Sequence, residues 1–90
     1  MAWFVVSYDL RKQRNYQPLY DKFAEWGAVR ALESFWLVDV TGRAEHVRDA
    51  LRALIDSDDG LLVVELKPNF DWALLRTLNG ASDWLKSRSP

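Results

Sequence analysis

The sequence predicts an α+β domain: a four-stranded antiparallel sheet, two helices on one of its faces, and a C-terminal extension. Three observations carry this. Strand-length apolar runs open the chain and recur at Phe35–Val38 and Leu61–Val64. Between them lie two stretches whose apolar residues return every three or four positions, as one face of a helix requires. The length completes the argument, because 90 residues, 49% of them apolar and 28% charged, fill one domain and fold around one core.

Ala2–Asp9 is rich in β-branched and aromatic residues and nearly continuously apolar, which suits a central strand. A basic loop over Leu10–Asn15 follows. Asn15 is placed to cap a helix, and Pro18 is tolerable because it falls in the first turn. Tyr16, Leu19, Tyr20, Phe23 and Trp26 form the apolar face, and Gly27 ends the helix where a left-handed residue is wanted. Glu33-Ser34 divides the next apolar run into short strands, Val29–Leu32 and Phe35–Val40. After Thr41-Gly42 a second helix carries Ala44, Val47, Leu51, Leu54 and Ile55 on one face. A turn, Asp56–Gly60, leads into the strand Leu61–Leu66, which Pro68-Asn69 breaks. A terminal helix is expected around Ala81–Lys86, with Trp72, Leu75, Trp84 and Leu85 covering apolar surface.

Strand, helix, strand, strand, helix, strand is the split βαβ, ferredoxin-like order, with both helices on one sheet face. Residues 1–67 form that domain and residues 68–90 an extension packing on the sheet or on a dimer partner. The helix-free face needs a cover, from the tail or a second subunit. The load of 5 tryptophans points to aromatic residues at a subunit interface. The absence of cysteine excludes a disulfide framework and a zinc–cysteine site. No apolar stretch approaches a membrane span, and the early Asp9 and Arg11 do not suit a signal peptide. A cytoplasmic location without membrane contact is expected.

The net charge of −1 offers a polyanion no global attraction, but the charge is unevenly spread. Residues 1–30 hold 5 cations against 3 acids, and residues 31–60 hold 3 against 7. A polyanion is therefore expected to meet the N-terminal third. Asp9, where the first strand leaves the sheet, is solvated, paired or holding a cation. One carboxylate makes a poor magnesium site, whereas two meeting across a dimer axis suit Mg²⁺, which keeps several waters. Arg11, Lys12 and Arg14 are a solvated loop or a phosphate-binding cluster. Arg30 is expected on a strand opposite Asp9, as another phosphate contact. In Asp56–Gly60 the glycine falls fifth and Lys67 twelfth, which fails the EF-hand pattern, so the segment reads as a solvated turn. His46 has no partner for a metal or a triad and reads as a surface residue. The glycines are isolated, and no phosphate loop is present.

The stretch Val5-Val6-Ser7-Tyr8-Asp9-Leu10 resembles the first strand of the small CRISPR-associated endonuclease family that acts in spacer acquisition. The related VapD-type toxins share that opening. Gly27, Arg30 and the trio Ser34-Phe35-Trp36 are similar to a second family pattern, with Trp36 in the place of a phenylalanine. The likeness spans residues 3–67. It implies a ferredoxin-like homodimer that handles RNA or double-stranded DNA, with an integrase subunit as a further partner. It makes Asp9 the catalytic residue and metal ligand, one Mg²⁺ or Mn²⁺ being shared across the dimer axis. Arg11, Arg14 and Arg30 fall on phosphate-contacting positions, and Tyr8, Ser34 and Trp36 on supporting ones. The implied activity is metal-dependent phosphodiester cleavage. The alternatives are an inactive nucleic-acid-binding scaffold, a VapD-like ribonuclease toxin and, more remotely, a regulatory module binding a small molecule or a protein.

Overall fold

The computed structural model describes residues 2–88. The chain runs β1 (Ala2–Asp9), α1 (Gln17–Glu25), β2 (Val29–Leu32), β3 (Phe35–Val40), α2 (Ala44–Arg52), β4 (Gly60–Leu66) and α3 (Ala81–Arg88). The strands form one open four-stranded sheet in the order β2-β3-β1-β4, each neighbouring pair antiparallel. The α+β class and the antiparallel sheet are as the sequence predicts. Strand β3 lies between β1 and β2, which α1 connects. Strand β1 lies between β3 and β4, which α2 connects.

The side chains of β1 alternate between two apolar clusters. Phe4, Val6 and Tyr8 pack with Leu19 and Phe23 of α1 and with Val47 and Leu51 of α2, so both helices share one face. Trp3 and Val5 face the other way, with Leu37 and the tail residues Phe70, Trp72, Ala81, Trp84 and Leu85. The tail thus covers the sheet of its own chain. The Leu78 N–H donates to the Ala31 carbonyl at 2.9 Å, tying the tail to edge strand β2. Arg88 closes the arrangement, reaching Asp39 of β3 at 2.9 Å and lying 4.1 Å from the centre of the Trp84 ring.

Local chemistry sets the helix ends. Asn15 does not cap α1 in the expected position: the cap is Tyr16, and Asn15 Oδ1 accepts from the Gln17 N–H at 2.9 Å. An Asx-type turn has won over a side-chain cap. Gly27, at φ +66°, ends α1, with Ala28 N–H reaching the Phe23 carbonyl and Gly27 N–H the Ala24 carbonyl. These are the bonds of a Schellman motif, which glycine's lack of a Cβ permits. His46 is exposed, but its Nδ1 accepts the Arg43 N–H at 3.3 Å and so helps close the start of α2.

One expectation about apolar residues is corrected. Leu75 covers nothing, being 71% exposed. None of the tryptophans is left exposed: Trp36 and Trp84 are buried, and Trp3, Trp26 and Trp72 pack against the two clusters. The rings are taken up by the clusters on the sheet's two faces, with Trp3, Trp26 and Trp72 part-buried there. The large apolar residues left exposed are Leu32, Leu62, Val64, Leu75 and Leu78.

Candidate functional site

Antiparallel pairing of β1 with β4 sets Asp9 opposite Gly60, so the exit of the first strand lies beside the entry of the last. The loop after Asp9 and the turn before Gly60 are therefore neighbours. The first carries Arg11, Lys12 and Arg14; the second carries Asp56, Asp58 and Asp59.

Asp59 is the hub between them. Its Oδ1 accepts from the Arg11 N–H at 2.7 Å, and its Oδ2 from the Tyr16 hydroxyl at 2.7 Å and the Asp56 N–H at 2.8 Å. Desolvation alone pushes this carboxyl up. The hydrogen bonds from Arg11, Tyr16 and Asp56, with the nearby Arg14 charge, outweigh it and hold Asp59 below the usual carboxylate range. The remaining pairs surround the hub. Lys12 Nζ lies 2.8 Å from Asp58 and Arg14 Nη1 3.7 Å from Asp56. The Arg11 guanidinium donates to the Asp58 carbonyl oxygen. It also lies along the backbone at Gly60, where a Cβ would meet its Nη2 at 3.1 Å.

Asp56–Gly60 is the turn that the sequence predicts, with Asp58 61% exposed, and it is also the counter-charge of the basic loop. The signal was in the sequence, as two short clusters of opposite sign flanking strands that a four-stranded antiparallel sheet can set side by side. A polyanion approaching the N-terminal third meets these cations already partnered.

Asp9 itself is open. Its side chain is 79% exposed and, among the described residues, has one ion pair, to Arg11 Nη2 at 3.6 Å. Ser7, Tyr8, Asp9, Gly60, Leu61 and Leu62 line a shallow depression of about 250 Å³. Among the described residues no group of three or more His, Cys, Asp or Glu is arranged to hold a metal ion within the chain.

Arg30 is not opposite Asp9. It pairs with Trp36, which pairs with Val6, and its side chain lies between the rings of Tyr20 and Trp36, 5.2 and 5.4 Å from their centres. Its Nε and Nη2 donate to the Glu33 carbonyl at 2.9 and 2.6 Å. Tyr8 and Trp36 face the helices: Trp36 stacks on Phe23 at 4.3 Å, and its indole N–H donates to the Tyr8 oxygen at 3.0 Å. Ser34 contributes its carbonyl to the Tyr8 N–H at 3.1 Å. The expected site residues thus fall into two groups, Asp9 with Arg11 and Arg14 at the loop junction, and Tyr8, Arg30, Ser34 and Trp36 around the β2–β3 turn. No protein-family model matches this chain, and no solved structure matches it.

Proposed function

We propose that the chain is a ferredoxin-like, homodimeric phosphodiester-handling protein of the CRISPR-associated spacer-acquisition endonuclease type, acting on RNA or double-stranded DNA. The interleaved connections, β1-α1-β2 around β3 and β3-α2-β4 around β1, support the ferredoxin-like reading. The observation that carries the functional reading is Asp9: a mostly exposed carboxylate at the end of the central strand, beside Arg11 and next to a depression.

One such carboxylate from each of two subunits fits Mg²⁺ or Mn²⁺, which accept one or two carboxylates and retain water. When bound, the ion polarises a phosphoryl oxygen and makes an attacking water more acidic. Arg11 and Arg14 would hold the backbone phosphates on either side. The apolar residues left exposed support the dimer. Leu62 lies beside Ser7 and Val64 beside Val5 in the ladder, on the same sheet face as Asp9. Burying them against a second copy brings the two Asp9 residues towards each other.

The second reading is a catalytically silent nucleic-acid scaffold. The Arg11 guanidinium favours it, since it already gives Asp9 a cation at 3.6 Å. Asp9→Asn separates the two. Under the enzyme reading the variant loses most Mg²⁺- or Mn²⁺-dependent cleavage of labelled RNA and duplex DNA, while dimerisation and nucleic-acid affinity survive. A wild type that binds but never cleaves, with any metal, establishes the scaffold. Equal cleavage by wild type and variant removes Asp9 from the chemistry.

A further inference from the structure

The basic loop and the acidic turn are joined by two kinds of contact, and the difference matters. Asp59 is held by two backbone N–H groups and a tyrosine hydroxyl, so it anchors the junction. Asp56 and Asp58 pair with the side chains of Arg14 and Lys12, in pairs whose members are 29–61% exposed. Among the described residues the one backbone group on these two carboxylates is the Asp58 N–H, at 3.3 Å from Asp56 Oδ1. Exposed pairs of long side chains are individually weak and open readily. An open groove of about 610 Å³ beside the turn is lined by Asp56 and Asp59 and by Arg48 and Arg52 of α2. Arg52, whose charge also acts on Asp49, is a further cation on that groove.

We infer that Asp56 and Asp58 form an autoinhibitory latch, occupying Arg14 and Lys12 in place of a phosphate backbone until a nucleic acid displaces them. The inference rests on the phosphodiester-handling reading and concerns its regulation. A strand offering several phosphates at once competes with two weak pairs, whereas an isolated anion does not. The latch therefore sets a threshold, favouring polymers over free nucleotides and phosphate. Asp59 stays in place through the exchange and keeps the loop folded.

The test is fluorescence anisotropy with a labelled single-stranded RNA and a labelled DNA duplex over a range of salt, the two probes distinguishing the source of the phosphates. The proteins are wild type, Asp56→Asn/Asp58→Asn, Arg11→Ala/Arg14→Ala, and a control of equal charge change to the first variant, Asp71→Asn/Asp83→Asn, at exposed tail positions. Circular dichroism checks each fold, and Asp58→Asn alone serves if the double variant unfolds. The latch variant is expected to bind at least one probe roughly tenfold tighter at low salt, with a salt slope steeper by up to about two phosphate contacts. The control is expected to change little. An equal gain in the control reduces the effect to net charge and overturns the latch. No gain in the latch variant, while Arg11→Ala/Arg14→Ala weakens binding, overturns the latch and leaves the functional reading standing. No binding of either probe by any of the proteins overturns both.

Discussion

Tyr8 and Asp9 are adjacent in sequence and face opposite ways, because successive side chains of a strand alternate. Tyr8 enters the core beneath α1. It accepts the Trp36 indole N–H at 3.0 Å and donates to the Glu33 carbonyl at 3.2 Å. Burial raises its phenol above the ordinary value, against the opposing effects of the Trp36 hydrogen bond and the Arg30 charge, so it stays protonated at neutral pH. Its work is structural. Tyr8→Phe removes the acceptor of a buried indole N–H and is expected to cost about 1–3 kcal/mol in urea unfolding, with nucleic-acid binding unchanged. An unaltered midpoint would mean the indole had found another partner. At this scale the strand-end position of Asp9 was legible from the apolar run before it. The setting of Arg30 was not, since a strand position fixes the face of a guanidinium but not the carbonyl that its fork finds.

Elements were legible where periodicity or a turn residue marked them. The long apolar run and the Glu33-Ser34 break place β2 and β3, and Gly27 marks the end of α1. The junction of the basic loop with the acidic turn was not foreseen, because its contacts join residues as far as 48 apart and depend on the β1–β4 register. That junction predicts an acid response with a definite sign. Asp59 is lowered in the folded state, so its contribution is complete above its unfolded value of about 3.9 and is lost as pH falls through the lower folded value. The Arg11 amide, which donates to Asp59, is the reporter. Its proton resonance is expected to titrate with a midpoint below about pH 3.9 in wild type and to lose that titration in Asp59→Asn. A wild-type midpoint at or above that value would show that the contacts do not favour the carboxylate.

The whole molecule leaves its tail face unevenly covered. The tail packs over β2, β3 and the start of β1, while Leu62 and Val64 on β4 remain 61% and 43% exposed. A homodimer formed there is expected to scatter light with twice the 10.5 kDa chain mass and to bury about 1,200–2,000 Å² in total. Leu62→Lys is expected to return it to the monomer. A wild-type monomer at tens of micromolar, roughly the range where such an interface should hold, would remove the shared-ion site as well. The tail's position also has a meaning in time. The sheet is complete at Leu66, but its cover ends with α3 at Arg88, so during synthesis Trp3, Val5 and Leu37 wait bare for residues made after the strands. At about 5–20 residues per second that interval is on the order of one to four seconds. For those seconds the nascent sheet shows a sticky apolar face to whatever surrounds the ribosome. The tail then acts in the manner of a chaperone, arriving late and staying bound.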